Sequence, residues 1–96
     1  MGTYSATHIS LTAMQAAGID TERVTYSPVI RPPDTTVYPV WTVNADPFTR
    51  IVVEGHKSGW HVTGYLAFDA DDPGTEAFTY DVTDRDRLLG YLSQWT

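Results

Sequence analysis

The sequence predicts an α+β two-layer sandwich, in which a mostly antiparallel sheet of about five strands carries an N-terminal and a C-terminal helix on one face. Residues 50–68 consist of two apolar, β-branched and aromatic runs around a short polar segment with a glycine at each end. That pattern indicates a β-hairpin. Apolar residues at helical spacing occur near the two ends of the chain. Hairpin connections between the remaining short runs favour an antiparallel sheet with helices on its apolar face.

The N-terminal helix is predicted over residues 11–17. Ser10 is a suitable N-cap, and Gly18 is a suitable left-handed residue directly after the helix. Ile19 would then fold back onto the helix, as in a Schellman ending. Residues 3–9 fit either a short strand or an extension of the helix, and both alternatives stay open.

Two of the predicted strands contain a proline. Residues 23–30 and 37–43 alternate in side-chain character, but Pro28 and Pro39 cannot donate to a ladder. We therefore expect edge positions or bulges in both strands. The central hairpin follows, and residues 77–82 form the last predicted strand.

The second strand of the hairpin has one apolar face, because alternate side chains of a strand point to opposite sides. Its other face is mixed and could meet water or a partner. The same alternation along the other strands and the C-terminal helix predicts a core. The expected core residues are Ile51, Val53, Trp60, Val62, Leu66, Phe68, Phe78, Tyr80, Leu88, Leu92 and Trp95.

The C-terminal helix is predicted to begin with Thr83 as its cap. Asp84 and Asp86 fall in the first turn, where the helix dipole favours negative charge. Leu88, Leu92 and Trp95 share one stripe. We expect Trp95 to pack against the apolar face of the sheet, near residues 60–68.

Composition bounds the function. The 96 residues are enough for one domain, and the net charge is −6. Seven acidic residues and one arginine lie between positions 69 and 86, whereas acids and bases balance elsewhere. A broad nucleic-acid surface is disfavoured, because phosphate binding needs clustered Lys and Arg. The chain has no cysteine, no membrane-length apolar run and no signal-peptide pattern, and we expect a cytoplasmic protein without membrane contact.

Residues 69–86, the acidic segment, lead to the main functional hypothesis. It is a non-enzymatic protein-binding module that presents an acidic surface to a basic partner. By analogy of size and charge, it could be a small phage- or mobile-element-type inhibitor or immunity-like protein. The candidate partner-binding residues are Asp69, Asp71, Asp72, Glu76 and Asp84.

A different class of function rests on the hairpin, which could carry a small hydrolase or nuclease site. His56, His61 and Glu54 would act in acid–base catalysis, with Arg50 or Lys57 holding an anion. A third alternative is a structural or virion assembly subunit that pairs through proline-marked edges. We predict no cofactor and no metal site, because no third ligand follows the histidines at a recognisable spacing.

Overall fold

The computed structural model describes residues 8–31, 36–46, 48–56, 59–67 and 74–95. The described residues form a short helix, then a 3₁₀ turn and seven strands, and then a second helix. The elements are α1 (Leu11–Ala16), a 3₁₀ turn (Thr21–Arg23), β1 (Val24–Tyr26), β2 (Val29–Arg31), β3 (Thr36–Tyr38), β4 (Val40–Asp46), β5 (Thr49–His56), β6 (Gly59–Leu66), β7 (Thr75–Val82) and α2 (Arg85–Ser93).

The main sheet has five strands in the order β1-β4-β5-β6-β7, and every neighbouring pair is antiparallel. Strands β2 and β3 pair with each other in a separate two-stranded sheet. The predicted α+β class with a mostly antiparallel sheet is confirmed. Among the described residues, no helix is both long enough and apolar enough to cross a membrane.

The two proline-containing strands are each divided, which corrects the sequence prediction. Pro28 lies between β1 and β2, and Pro39 lies between β3 and β4. A residue without an N–H cannot complete a ladder, so the chain changes partner at each proline. Pro39 itself still bonds to β5, because its carbonyl accepts a hydrogen bond from the Gly55 N–H at 2.7 Å.

Helix α1 has the ends that its sequence predicts. The Ser10 hydroxyl accepts a hydrogen bond from the Ala13 N–H at 3.1 Å, which caps the first turn. At the other end Gly18 has φ of 91°, a conformation that costs a glycine little. The Ile19 N–H then donates to the Met14 carbonyl at 3.0 Å, which is the long bond of a Schellman motif.

Helix α2 begins one residue later than predicted, because Asp84 and not Thr83 is its N-cap. One Asp84 carboxylate oxygen accepts from the N–H groups of Asp86 and Arg87, at 3.0 and 3.5 Å. Thr83 remains outside the helix, at the end of β7 and beside Gly59. Aspartate is also the stronger capping residue of the two.

The core follows the apolar face of the main sheet, and it differs from the predicted set in several members. Trp41, which the prediction left out, is only 1% exposed and is part of the core. Phe78, Tyr80 and Trp95 are only partly buried. Leu66, predicted to be buried, is 48% exposed at the last position of β6. The buried apolar residues are Ile9, Met14, Ile19, Trp41, Val43, Ile51, Val53, Trp60, Val62, Val82, Leu88, Leu89 and Leu92. The predicted core residue Phe68 lies outside the described residues.

Trp95, the last described residue, is held by aromatic stacking. Phe78 lies opposite Gly64 in the β6–β7 ladder, and the Trp95 ring stacks on the Phe78 ring with centroids 6.0 Å apart. Tyr91 meets Trp95 edge-to-face at 6.2 Å. Trp95 therefore packs toward the predicted region of the sheet, although it stays partly exposed.

Candidate functional site

The second face of the sheet carries a row of ionisable side chains across three strands. In the ladder register, His61 of β6 lies opposite Glu54 of β5 on one side and opposite Asp81 of β7 on the other. Residues opposite each other in a sheet point to the same face. The row is therefore built from strand register alone, on rigid elements of the fold.

His61 has a partner at each ring nitrogen. Its Nδ1 lies 2.8 Å from an Asp81 carboxylate oxygen, and its Nε2 lies 3.0 Å from the Thr79 hydroxyl oxygen. The His61 side chain is 42% exposed and that of Asp81 is 80% exposed. Both contacts are hydrogen bonds of good length that remain open to solvent.

His56 stands next to this row. Its Nε2 is 3.8 Å from a Glu54 carboxylate oxygen, and its ring meets the Tyr38 ring edge-to-face at 5.5 Å. The His56 and His61 ring centroids are 6.4 Å apart. The structure thus brings together the three residues that the hydrolase hypothesis names, with Glu54 the least exposed of them at 16%.

A cavity of about 230 Å³ adjoins the histidines at the end of the hairpin. His56 and Asp81 take part in its lining, whereas the residues described as lining it do not include His61 or Glu54. The remaining walls are formed by Gly59, Trp60, Val82 and Thr83. Of the three candidate residues, only His56 is among the described residues that line this cavity.

Of the two predicted anion-holding residues, Arg50 does not reach the site. Arg50 lies on the same strand as Glu54 but four residues away, which is roughly 13 Å along an extended chain. Its guanidinium instead covers the Tyr65 ring at 4.8 Å. Lys57 lies outside the described residues.

Metal binding finds no support in the part of the chain that the structure describes. No group of three or more His, Asp or Glu side chains there is arranged to hold an ion. At His61, both ring nitrogens already have hydrogen-bond partners.

Only two of the five acidic candidates lie within the described residues. Asp69, Asp71 and Asp72 lie outside the described residues, whereas Glu76 is on β7 and Asp84 caps α2. Two further acids of the same region are also exposed. We call the exposed set Glu76, Asp81, Asp84 and Asp86 the acidic stripe.

The acidic stripe follows an edge of the main sheet. Glu76 lies opposite Tyr65 near the start of β7, and the other three acids lie near or beyond its end. Arg85 and Arg87 are interleaved with them at the start of α2. Within the described residues, no strand pairs with the outer side of β7.

The backbone of β7 alternates between inward and outward hydrogen-bonding groups. The Ala67 N–H donates to the Phe48 carbonyl, which makes this pair a hydrogen-bonded one in the β5–β6 ladder. Hydrogen-bonded and non-bonded pairs alternate in an antiparallel ladder. The even-numbered residues of β6 therefore bond to β7, and the N–H groups of Thr79 and Asp81 point to the outer edge.

A larger cavity of about 420 Å³ lies between the end of β7 and α2. Its lining comprises Tyr80, Asp81, Val82, Thr83, Asp84, Arg87 and Tyr91. The Tyr80 hydroxyl is buried and has no hydrogen-bond partner among the described residues. Burial raises the pKa of the Tyr80 phenol far above its ordinary value, and the neighbouring Tyr91 phenol raises it further.

Thr79 and Asp81 are the residues of the histidine cluster that the sequence hypothesis omitted. They are two positions apart on one strand, so they share a face. Their meeting with His61 depends on the β6–β7 register, and these strands are separated in the sequence by residues 67–74. The sequence shows only that Thr79 and Asp81 lie two residues apart in a predicted strand. That spacing does not indicate that His61 lies between them in space.

Comparison with known proteins adds no relative: no family model matches the chain, and no curated protein or solved structure is significantly similar to it.

Proposed function

We propose that the protein is a non-enzymatic binding module that presents its acidic segment to a basic surface of another protein. The observation that carries the proposal is the acidic stripe, whose four carboxylates are all exposed along one sheet edge and the adjoining helix start. Asp69, Asp71 and Asp72 precede β7 in the sequence and add three negative charges to the same segment.

Electrostatics favours a partner of opposite charge over self-association at this edge. An antiparallel pairing of two β7 strands would place acids of one copy near acids of the other, and facing like charges destabilise a strand pair. A basic partner meets no such penalty. A protein whose own target is a nucleic acid displays basic surface of this kind, which fits an inhibitor or immunity-like role.

The experiment measures association kinetics with the partner captured from the source organism. Replacing Asp69, Asp71 and Asp72 by Asn should slow association about tenfold or more at low ionic strength, because complementary charge steers encounter. High salt should remove most of the difference, since exposed charges are screened beyond about 10 Å at 0.1 M salt.

The matched control neutralises acids outside the segment. Glu22→Gln, Asp34→Asn and Asp46→Asn together remove three charges outside the segment, and Asn at position 46 can still accept a hydrogen bond from the Phe48 N–H, as Asp46 does at 2.7 Å. Its association rate should stay near that of the unmodified chain. Equal slowing by both variants would show a non-specific effect of net charge, and no slowing by the Asp69–Asp71–Asp72 variant would refute the role of this segment.

The convergence of His56, His61 and Glu54 favours a second candidate, a small hydrolase or nuclease that uses these side chains in acid–base catalysis. Glu54 would orient His56, and the two imidazoles lie close enough to act on one substrate. Purified protein should then cleave RNA or a simple ester, and His56→Gln should lower the rate about 10²-fold or more. The candidate fails if no turnover is found or if His56→Gln retains full activity.

We also propose that α1 covers the same face of the sheet as α2. Burial of Met14 together with Ile9 and Ile19 in the core cluster supports this arrangement. The Met14 methyl group should show nuclear Overhauser contacts to Trp41 or Val43, which point to the apolar face. Contacts to Val52, on the other face, would contradict it.

A further inference from the structure

We propose that Thr79, His61 and Asp81 form a hydroxyl–imidazole–carboxylate relay that makes the Thr79 hydroxyl an acceptor for acyl groups from activated carboxylic esters. The relay shares His61 with the hydrolase candidate but requires neither His56 nor Glu54. It adds a nucleophile and a second carboxylate that the candidate lacks, and it predicts an acyl-Thr79 intermediate.

The geometry assigns a role to each atom of the relay. Asp81 lies 2.8 Å from Nδ1 of His61, so it holds the proton on that nitrogen and orients the ring. Nε2 then carries a lone pair, and the Thr79 hydroxyl lies 3.0 Å from it. Both distances fall within the 2.6–3.2 Å, roughly, over which a nucleophile and its base act together.

Strand register explains why these three side chains meet. Asp81 is directly opposite His61 in the β6–β7 ladder, and Thr79 is the diagonal neighbour on the same face. The register shift in this ladder falls between Gly64 and Tyr65, away from the relay. All three residues are therefore fixed by paired strands and not by a loop.

The outer edge of β7 supplies a donor for the developing negative charge. The alternation of the ladder directs the Thr79 N–H outward, and no strand in the described part of the chain pairs with it. The backbone N–H of a nucleophile is a common donor to the oxyanion of a tetrahedral intermediate. Thr79 thus carries both the attacking oxygen and a donor.

The covalent step balances without a cofactor. The Thr79 hydroxyl oxygen bonds to the ester carbonyl carbon while its proton passes to Nε2 of His61. The tetrahedral intermediate collapses, the bond to the leaving alkoxide breaks, and His61 returns the proton to that alkoxide. The products are an alcohol and an acyl ester of Thr79. Water, deprotonated by His61, then releases the carboxylic acid and restores the Thr79 hydroxyl.

The primary test is labelling with an alkyl fluorophosphonate, which reacts with activated hydroxyls by losing fluoride. Mass spectrometry of the intact protein should show one adduct per chain, and peptide mapping should place it on Thr79. Thr79→Val keeps the side-chain shape and should abolish the adduct, whereas Thr79→Ser should retain it. His61→Gln should slow labelling by at least about 10²-fold, the lower range for a positioned base.

Thr25→Val is the matched control, because Thr25 is an exposed strand threonine at the opposite edge of the same sheet. It should label at the rate of the unmodified chain. Circular dichroism establishes that each variant is folded. No adduct on Thr79 of the folded chain, or equal labelling of Thr79→Val, overturns the proposal.

Turnover of 4-nitrophenyl acetate separates the relay from the hydrolase candidate. The relay predicts a burst of nitrophenolate equal to one acyl group per chain, with the acetyl group on Thr79 and a slower steady rate. Turnover that persists in Thr79→Val would assign the activity to His56 and Glu54 and overturn the relay.

Discussion

At the scale of single residues, the Tyr80 hydroxyl is buried and has no hydrogen-bond partner among the described residues. Burial, reinforced by Tyr91, raises its pKa far above the ordinary value of a phenol. In the unfolded chain a tyrosine ionises near pH 10, roughly. Above that pH the folded state binds more protons than the unfolded state, so the free energy of unfolding falls as the pH rises.

The Tyr80→Phe variant should therefore lose less stability between pH 9 and 11, roughly, than the unmodified chain does. At pH 7 it should be at least as stable, because it removes a buried hydroxyl that has no described partner. Urea unfolding across this pH range is the measurement. Tyr26→Phe, which removes the hydroxyl of an exposed tyrosine, is the control. An identical alkaline loss in Tyr80→Phe would contradict this account of Tyr80.

Gly64 matters because of the ring that lies over it. A Cβ atom built at Gly64 would overlap the Phe78 ring, whose other side carries the Trp95 stack. Gly64→Ala should destabilise the fold by about 1–3 kcal/mol, the usual cost of overpacking. At Gly90, in the middle of α2, a Cβ meets no atom within 4 Å.

Gly90→Ala should accordingly stabilise the protein by about 0.5–1 kcal/mol, the helix-propensity gain of alanine. Opposite signs for the two glycine substitutions are the expected result of thermal or urea unfolding. Destabilisation of similar size at both positions would show that the Phe78 ring is not what makes Gly64 sensitive.

Burial could be predicted from apolar–polar alternation only for strand residues that have large neighbouring side chains to cover them. Ile51, Val53, Trp60 and Val62 occupy central strands, and their parity was sufficient. Leu66 has the same parity as Trp60 but lies at the end of β6, where its ladder partners are the small residues Thr49 and Thr75. Parity gives the face of a side chain and does not give the depth of cover above it.

At the scale of elements, the start of α2 rests on Asp84. Asp84→Ala should cost about 0.5–2 kcal/mol, because two N–H groups lose their acceptor. Asp84→Asn should cost little, since asparagine caps equally well. Thr83→Ala should cost less than Asp84→Ala in urea unfolding; the reverse order would restore Thr83 as the cap.

Trp95 lies two residues beyond the end of α2 and stacks on Phe78. Because Trp95 is only partly buried, Trp95→Ala should cost less than the 3–5 kcal/mol, roughly, of a fully buried tryptophan. We expect about 1.5–3 kcal/mol, the value of burying one large side chain. Phe78→Ala in the same background should cost less than it does alone, because the two rings stabilise each other. An unchanged melting temperature on loss of Trp95 would place this side chain in solvent.

Local signals predicted elements well where one residue sets the geometry. Ser10 and Gly18 fixed both ends of α1, and the glycines around residues 57–58 fixed the central hairpin. The division of the strands at Pro28 and Pro39 was harder to predict from the sequence. A proline shows that a ladder is interrupted, but it does not show whether the strand bends or changes partner.

At the scale of the whole molecule, the sequence could predict the sheet but not its complete order. The hairpin of β5 and β6 follows from its short connection, whereas β1 pairs with β4 across the separate β2–β3 sheet. The candidate sites depend on the same long-range pairing. His56, His61 and Glu54 lie on one hairpin and could be found from sequence, but Thr79 and Asp81 join them only through the β6–β7 register.

Exposed apolar side chains offer the main competing binding surface. Tyr26 on β1 and Val29 and Ile30 on β2 are exposed. These side chains and the acidic stripe make different demands on a partner, because the first would bury apolar area and the second would pair charges.

The measurement that tests the binding account most directly is an amide chemical-shift map of the labelled chain with its captured partner. The account predicts that perturbations centre on the acidic stripe and on residues 69–72, and that they weaken together as salt is raised. Perturbations centred on Val29 and Ile30, unaffected by salt, would contradict it.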